Sequence, residues 1–407
     1  MNCKEKTICI CCGSDDLKLV LDLKSQPLAN SYHKEDEQLE EYPLGLNLCR
    51  SCYHLQLSHI VNPDLLFKNY LYISGTTKTL RDYFDWFAEW CVETSGKTRG
   101  KILDIACNDG SQLNSFKSLS WETYGVDPAE NLYKLSSKNH NIECGYFTSS
   151  CFNSTKFDVI TAQNVFAHNE DALGFLKDCE EKMEEGSLLF IQTSQAEMIQ
   201  NNQFDTIYHE HLSFFNSNSF EALANRTNLS LVDAKKVPIH GISYVFVLKK
   251  GNRTHLEEMT VKNLIAVEAG RGLISEKTYD QYSEKVNSIV NCFRDEIEKH
   301  RDLGYHVVGY GAAAKGMTLL NFADVTLDYI IDDNPMKHDL LTPGTDTIIV
   351  SVDKLKEHSD ADKILFVPLA WNFFEEILRR IKVVRDNDED KFLSYFPGVR
   401  VTGKNEY

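Results

Sequence analysis

The stretch KILDIACNDG (101–110) decides the fold of the central part of the chain. Its first six residues are an apolar run typical of a buried strand, and a polar turn then leads into a segment with helical spacing. Further strand-like runs lie at 123–128, 157–165 and 187–193, and helical sequence separates each from the next. Strands that alternate with helices predict parallel βαβ units, so we expect a Rossmann-like α/β sheet here.

Toward the C-terminus, the central sheet is predicted to close with an antiparallel pair, and a second α/β region follows. LSLVDAKKV (229–237) and ISYVFVLKK (242–250) supply the pair, joined by a short link. Residues 257–300 have the apolar spacing of two or more helices. Four later apolar runs predict the strands of a second Rossmann-like sheet: 305–311, 327–332, 346–351 and 363–368.

Toward the N-terminus, the chain changes character twice. Residues 64–95 have helical spacing, with an interruption at Ser74–Thr77. Before them lies a cysteine-rich segment with two C-x-x-C pairs, Cys9–Cys12 and Cys49–Cys52, separated by 36 residues. Four thiolates in two tight turns suit a tetrahedral structural zinc, with no open position for catalysis. A redox pair or chance crowding are the alternatives, and Cys11 could replace Cys9 or Cys12 only with poorer spacing.

Composition excludes several classes of protein. The 407 residues are 42% hydrophobic and 25% charged, as in ordinary globular proteins. The net charge of −17 argues against a general nucleic-acid binder, because affinity for phosphates comes from clustered Lys and Arg. No apolar run approaches the ~20 residues of a membrane helix, and the N-terminus has no apolar stretch of signal-peptide length. We therefore expect a cytoplasmic protein that binds neither nucleic acid nor membranes.

The loop after the first central strand is a candidate cofactor site. It reads Asp104-Ile-Ala-Cys-Asn-Asp-Gly110 and resembles the D-x-G-x-G-x-G loop of S-adenosylmethionine-dependent methyltransferases. Ala106 and Asn108 replace two of the glycines, and Asn tolerates the left-handed backbone well. Asp127 ends the second strand, where an acid typically accepts hydrogen bonds from ribose hydroxyls. An ordinary strand–turn–helix or a dinucleotide fold are the alternatives.

The densest chemical stretch is FDTIYHEHLSFF (204–215). Tyr208, His209, Glu210 and His211 put a phenol, two imidazoles and a carboxylate side by side, although the histidines lack the i,i+4 spacing of a zinc protease. A histidine is a natural general base near neutral pH, with Glu as its orienter. An extended segment would place His209 and His211 on one face, so the residues alone do not separate them. A polar structural turn is the alternative.

Taken in order, these stretches resemble the sugar C-methyltransferases that act on nucleotide-linked 4-keto-deoxysugars. The resemblance covers nearly the whole chain. Besides the cysteine pairs, it rests on NYLYISGT, LDIACNDGSQL, YGVDPAENL, NVFAH, FDTIYHEHLSFF, YGAAAKG and DDNPMKH. It implies a zinc-binding module (1–65), a methyltransferase domain (66–255), a helical linker (256–300) and a C-terminal α/β domain facing the nucleotide sugar (301–407).

The resemblance also implies the roles of individual residues. The metal ligands are Cys9, Cys12, Cys49 and Cys52. The S-adenosylmethionine-binding positions are Asp104, Ala106, Asn108, Gly110, Asp127, Asn164 and His168. His211 is the base that deprotonates the carbon beside the ketone, and Tyr208, Glu210 and His209 share its motif. The candidate positions for substrate are Tyr70, Tyr72, His240, Tyr310, Gly311, Lys315 and Asn334; helix packing is the alternative for Tyr70 and Tyr72, and a turn role for His240. One departure stands at Ile242–Phe246, where many relatives read G-S-L-R, and it leaves the sugar or its ring position open.

Two other classes of function compete with this interpretation. A zinc-ribbon binding protein with a decayed cofactor loop would explain the lost glycines. An NAD(P)-dependent sugar-nucleotide oxidoreductase would use GYGAAAKG (309–316), although Ala314 takes the third glycine position of the dinucleotide fingerprint. An RNA methyltransferase is disfavoured by the acidic charge.

Overall fold

The computed structural model describes residues 2–67, 78–193, 198–239, 241–403 and 406. Tyr70, Tyr72 and His240 therefore lie outside the described residues. Four sheets occur in the described ranges, with seven, six, four and two strands. The predicted class, α/β with a cysteine-rich N-terminal module and two Rossmann-like sheets, is confirmed. Of the helices that the structure describes, none has the length and apolar character that crossing a bilayer demands.

The cysteine-rich segment folds mainly as antiparallel strands. Their bounds are β1 (Cys3–Glu5), β2 (Leu17–Pro27), β3 (Glu41–Cys49), β4 (Leu55–Leu57) and β5 (His59–Val61). The strands β2, β3 and β4 pair in sequence order, and β1 pairs with β5. Helices α1 (Pro63–Phe67) and α2 (Lys78–Ser95) follow, which places helix at both ends of the predicted 64–95 segment.

The central sheet has the order β12-β13-β10-β9-β6-β7-β8. Its strands are β6 (Lys101–Ile105), β7 (Glu122–Asp127), β8 (Asn141–Cys144), β9 (Phe157–Gln163), β10 (Met183–Thr193), β12 (Leu229–Val237) and β13 (Ser243–Lys250). The predicted edge pair β12–β13 is antiparallel, as expected, and β6 to β10 are parallel. The helices are α3 (Ser111–Ser118), α4 (Glu130–Ser136), α5 (Ala172–Glu181) and α6 (Ser217–Ala224). Because β6 has β7 on one side and β9 on the other, the crevice for a ligand opens at its carboxyl end.

A short strand, β11 (Ser213–Phe214), leaves the central region and joins the N-terminal sheet beside β4, giving the order β11-β4-β3-β2. It follows the FDTIYHEH stretch directly. Sequence patterning did not indicate it, because a two-residue strand carries no periodicity.

The C-terminal part begins with two helices, α7 (His255–Gly270) and α8 (Glu276–Asp302). A six-stranded sheet follows in the order β16-β15-β14-β17-β18-β19, parallel except for its last pair. Its elements are β14 (Tyr305–Tyr310), α9 (Ala314–Ala323), β15 (Tyr329–Ile331), β16 (Ile349–Val350), β17 (Lys363–Pro368), α10 (Phe374–Val384), β18 (Lys391–Ser394) and β19 (Arg400–Gly403). The predicted strand at 346–351 was too long, since Asp346 turns with φ 48° and pairing with β15 starts only at Ile349.

One hydrophobic core joins the first and last parts of the chain. Leu46 of β3, Val286 of α8 and Leu320 of α9 belong to a single buried cluster. The cysteines at the other end of the N-terminal module pack instead with the central sheet, against Phe220 of α6. The N-terminal module is thus wedged between the two α/β sheets.

Candidate active site

The four predicted metal ligands lie together. The Sγ atoms of Cys9 and Cys52 are 3.6 Å apart, those of Cys12 and Cys49 are 3.5 Å apart, and all four lie within 4.8 Å of one another. Four sulfurs around one zinc at a Zn–S distance of about 2.3 Å stand roughly 3.8 Å apart. The donor set therefore fits a tetrahedral zinc. Cys11 is fully buried but is not part of the group.

Each C-x-x-C pair forms the same tight turn. The amide of Gly13 donates to the carbonyl of Cys9, and the amide of Tyr53 donates to that of Cys49. Both donors have positive φ, 80° at Gly13 and 57° at Tyr53. Two matched turns bring both pairs of sulfurs to one point, which is the arrangement of a closed structural site.

The cofactor loop after β6 bends through three left-handed residues. Ala106, Asn108 and Gly110 have φ values of 59°, 52° and 80°. These are the positions where the glycine-rich motif has glycine, so Ala106 and Asn108 adopt the backbone that glycine would. A Cβ at Gly110 would lie 3.1 Å from His140 and 3.2 Å from Ser136.

Asp127 holds this loop from the end of β7. Its two carboxylate oxygens accept hydrogen bonds of 2.8 Å from the amides of Asn108 and Ala129. Burial raises the pKa of the carboxyl. Each oxygen has a second lone pair that can accept from a ribose hydroxyl. The open loop and this acceptor fit the adenosyl part of S-adenosylmethionine.

The remaining predicted cofactor residues surround the same crevice. Asp104, at the carboxyl end of β6, accepts a 2.6 Å hydrogen bond from Thr161, and burial raises its pKa to about 7. Asn164 follows β9 with φ 54°, and its amide donates to the carbonyl of Gln192 at the end of β10. His168 lies one turn further on, where its Nδ1 donates to the carbonyl of Glu210 at 2.7 Å.

His211 is held in one tautomer by the turn that carries it. Its Nδ1 lies 2.9 Å from the carbonyl oxygen of Thr206, which can only accept, so Nδ1 carries the proton. Its Nε2 lies 2.9 Å from the hydroxyl of Tyr208, which donates to it when the ring is neutral. The ring of His168 stands 5.1 Å away. An imidazole whose neutral form has its lone pair on Nε2 thus lies beside a phenol and close to His168.

His209 and His211 have different surroundings, a difference that the residues alone did not predict. The segment is a turn rather than an extended strand, with the amide of His211 donating to the carbonyl of Tyr208. His209 contacts the N-terminal sheet instead, where its Nε2 meets the carbonyl of Tyr42 at 3.2 Å. Burial lowers the pKa of His209 to about 4, so it remains neutral near pH 7.

Glu210 faces the N-terminal module. Its carboxylate accepts a 2.6 Å hydrogen bond from the side-chain amide of Asn30, and burial raises its pKa. Tyr32, two residues after Asn30, donates a hydrogen bond of 2.5 Å to the carbonyl of Ala312 in the C-terminal loop. The segment 30–32 therefore spans from the Tyr208–His211 turn to the C-terminal loop.

The C-terminal loop packs directly under the turn. The hydroxyl of Thr318 in α9 lies 3.4 Å from the carbonyl of Ile207. Lys315 lies with its Nζ 4.7 Å from the ring centre of Trp371, whose indole nitrogen donates to Asp205. Burial raises the pKa of Asp205 to about 6, against the opposing charge of Lys315. The structure thus brings Lys315 and the Tyr208–His211 turn to one interface.

The other predicted substrate residues of this loop have partners within their own sheet. Tyr310 is buried and donates to Asp333 at 3.2 Å, and the side chain of Asn334 caps the turn at Met336. The amide of Gly311 donates to the carbonyl of Ile331. Their contact with a substrate stays a prediction.

Sequence reasoning missed several residues of this site. Thr206 acts through its backbone carbonyl, so its side chain gives no signal. Asn30 and Tyr32 lie in an ordinary stretch between β2 and β3, and only the fold brings them to Glu210. Trp371 and Asp205 meet across two sheets.

Comparison with known families now decides the class of protein. Three family models match successive parts of the chain: a zinc binding domain at 9–67, a methyltransferase domain at 76–234 and a C-methyltransferase C-terminal domain at 238–397. The C-methyltransferase NovU of Streptomyces niveus is 29% identical over 408 residues, which cover 97% of this chain and 96% of that protein. The chain is therefore similar to C-methyltransferases over nearly its whole length, and it is a methyltransferase.

Two further proteins match part of the chain. A ubiquinone biosynthesis O-methyltransferase of Glaesserella parasuis serovar 5 (strain SH0165) is 28% identical over 113 residues, 25% of this chain and 48% of that protein. An S-adenosylmethionine-dependent methyltransferase structure from Clostridium acetobutylicum ATCC 824 aligns with 46% of this chain and 96% of its own, at 17% identity and a TM-score of 0.35. The predictions of a methyltransferase, of S-adenosylmethionine as cofactor and of a zinc-binding N-terminal module are confirmed.

Proposed function

We propose that this C-methyltransferase methylates a carbon beside the ketone of a nucleotide-linked 4-keto-deoxysugar, with His211 as the base. The observation that carries the proposal is the pair of contacts on the His211 ring. The carbonyl of Thr206 fixes the proton on Nδ1, and Nε2 keeps the lone pair that a base needs. Carbon needs such a base, because it becomes nucleophilic only after losing a proton.

Tyr208 supports the same step from the other side of Nε2. Its hydroxyl donates to Nε2 where the substrate's C–H has to approach. As substrate binds, this hydroxyl turns to the ketone oxygen and stabilises the charge that develops there. Nε2 takes the proton, and the electron pair of the C–H bond forms the enolate. The enolate carbon is then the nucleophile that attacks the methyl group. S-adenosylmethionine, when bound, supplies an electrophilic methyl group, and its sulfur leaves as a neutral thioether.

The substrate class is supported by the interface between the turn and the C-terminal sheet. The first turn of α9 offers backbone amides, and Lys315 of that turn holds its Nζ 4.7 Å from the ring centre of Trp371. Amides at a helix start together with an ammonium suit a diphosphate. Because the Tyr208–His211 turn packs on the same helix, a sugar joined to that diphosphate would lie between the two sheets. Reduced thiolates for zinc suit a reducing compartment, which supports the expected cytoplasmic location.

Solvent deuterium exchange tests the base directly. The enzyme is incubated with S-adenosylhomocysteine and a panel of nucleotide-linked 4-keto-deoxysugars in D₂O, and deuterium beside the ketone is measured by mass. We expect wild type to exchange that proton, and His211→Gln to lose about 10²–10⁴ in rate while binding cofactor normally. His306→Gln, at an exposed histidine of β14, is the matched control and should keep exchange. Persistent exchange in His211→Gln would assign the base elsewhere, and no exchange with any keto-sugar would reject the substrate class.

A further inference from the structure

The turn that carries His211 is bounded by the zinc-binding module on one side. Directly after it, β11 pairs antiparallel with β4, with Ser213 opposite Gln56. One residue before β11, the carbonyl of Leu212 accepts a 3.0 Å hydrogen bond from the amide of Leu57. The pairing begins one residue after His211, so the position of β4 sets where the histidine lies.

Strand β4 is itself tied to both cysteine turns. The carbonyl of His54 accepts from the amide of Cys49 at 2.8 Å, and its ring Nε2 lies 3.3 Å from the hydroxyl of Ser213 in β11. The side chain of Gln56 reaches the other cysteine turn. Its Oε1 accepts from the amide of Ile10 at 2.8 Å, and its Nε2 donates to the carbonyl of Ile8 at 3.1 Å. Both side chains are completely buried.

The methyltransferase sheet holds the other side of the same turn. There the amide of Leu212 donates to the carbonyl of Ala167 at 2.9 Å, and His168 donates to the carbonyl of Glu210. The N-terminal module contributes the β11–β4 pairing, the His209–Tyr42 bond and the Asn30–Glu210 bond. A two-residue strand is too short to be stable alone, so its order depends on the strand it joins.

We propose that the zinc-binding module positions the catalytic base, with His54 and Gln56 as the positioning residues that transmit the order of the two cysteine turns to β11 and His211. Zinc fixes the turns, the turns fix β4, and β4 fixes the strand that begins beside His211. The cofactor loop at 106–110 has no part in this path, because β6, β7 and Asp127 hold it. The inference rests on the proposed role of His211 in catalysis, but its structural content does not require any turnover.

The test measures order rather than activity. Hydrogen–deuterium exchange of backbone amides is followed by mass spectrometry in the full chain, before and after zinc removal by a chelator, with S-adenosylmethionine binding measured by calorimetry. We expect peptides covering 205–216 to exchange at least about tenfold faster without zinc. Peptides covering 101–118 should change little, and cofactor affinity should stay within about twofold. The same outcome is expected for Gln56→Leu with zinc still bound, since its two side-chain hydrogen bonds are lost.

A spectroscopic readout separates positioning from general stability. In ¹⁵N-histidine-labelled protein, the Nδ1–H signal of His211, assigned by its loss in His211→Gln, should broaden or shift in Gln56→Leu. Arg50→Ala is the control, because Arg50 lies in the second cysteine turn but its side chain is exposed. It should leave the signal unchanged. Unchanged exchange at 205–216 after zinc removal would overturn the proposal, and so would a parallel loss of cofactor binding, which would make zinc a support of the whole fold.

These outcomes are distinguishable from failure of the proposed function. If another residue is the base, the substrate proton still exchanges in His211→Gln, while the amide exchange of 205–216 keeps its dependence on zinc. If the positioning path is wrong, the amide result fails while the loss of substrate exchange in His211→Gln remains.

Discussion

In the central sheet the amide of Ala106 donates to the carbonyl of Val126 at 2.8 Å, and in the C-terminal sheet the amide of Gly311 donates to that of Ile331 at 2.7 Å. In both sheets an aspartate follows the residue whose carbonyl accepts this hydrogen bond. The carboxylate of that aspartate accepts one hydrogen bond from a loop amide and one from the amide two residues after the aspartate itself. For Asp127 the donors are Asn108 and Ala129, and for Asp332 they are Ala312 and Asn334. Two sheets of one chain thus build the same hydrogen-bonded frame.

The surroundings of the two aspartates differ. Lys337 lies with its Nζ 3.4 Å from Asp332 and donates to the carbonyl of Ala312, where Tyr32 also donates. No salt bridge among the described residues involves Asp127. A side chain of the protein itself therefore engages the C-terminal acid, while the salt bridges of the described residues leave the central acid without such a partner. In the C-terminal sheet the frame contacts Lys337 and the N-terminal module, which weakens the dinucleotide interpretation of that loop.

The largest difference that can be tested lies two residues before these loop amides. The central sheet has Asp104 there, fully buried, and the C-terminal sheet has Gly309. Burial raises the pKa of Asp104 from 3.8 to about 7. The stability that comes from keeping this carboxyl protonated is fully present below pH 4 and is lost as the pH rises through 7. At about 1.36 kcal/mol per pH unit, this interval corresponds to about 4 kcal/mol.

Asp104→Asn should remove that dependence. Its free energy of unfolding relative to wild type should rise by about 2–3 kcal/mol between pH 5 and pH 7.5. Urea unfolding at the two pH values measures it. Asp82→Asn, at an exposed carboxylate of α2, is the control and should show no such trend. If the free energy of unfolding changed equally with pH in Asp104→Asn and in wild type, Asp104 would be ionised in the folded protein at both pH values.

Adding a methyl group at a left-handed glycine of each loop comes next. Gly311 has φ 87°, and a Cβ there would lie 2.7 Å from the Cβ of Ala370. Gly311→Ala should cost about 3 kcal/mol of stability, from the left-handed backbone and from the clash. Gly110→Ala, with its nearest contact at 3.1 Å, should cost less. Urea unfolding gives both values, and an equal or smaller loss for Gly311→Ala would show that Ala370 moves aside.

The two sheets and the loop of the central one were predictable from the sequence, because the patterns that indicate them are local. Apolar runs indicated both sheets, and the spacing from the loop to Asp127 indicated a cofactor site from the amino-acid sequence alone. The corresponding role of Asp332 was not predicted, since a contact with Lys337 and Tyr32 depends on how the N-terminal module packs. The residues alone did not separate His209 from His211 for a related reason: the segment turns to join β4, and that partner strand lies far along the chain.

Asp127 and Asp332 can be compared by cofactor binding. Asp127→Ala should weaken S-adenosylmethionine binding by about 1–3 kcal/mol, because a charged acceptor and the anchor of the loop are lost. Asp332→Ala should leave that affinity within about twofold, since its frame contacts the N-terminal module. Isothermal calorimetry with each variant measures the difference. Equal losses would mean that both sheets contribute to one cofactor site, and no loss in Asp127→Ala would contradict the placement of the ribose.

The smallest expected effect belongs to Ala106, which occupies the position of Gly311 with φ 59°. An alanine in the left-handed conformation costs about 1–2 kcal/mol of stability. A glycine costs about 0.4–1 kcal/mol, because the unfolded chain has more freedom. The cost of the left-handed alanine is the larger of the two, so Ala106→Gly should stabilise the protein by about 0.5–1 kcal/mol. Urea unfolding with replicate curves resolves this difference, and cofactor affinity should not fall, because glycine keeps the loop amide that donates to Val126. A destabilised Ala106→Gly would show that the alanine methyl makes packing contacts worth more than the strain, and the two frames would then differ in their packing as well as in their ligands.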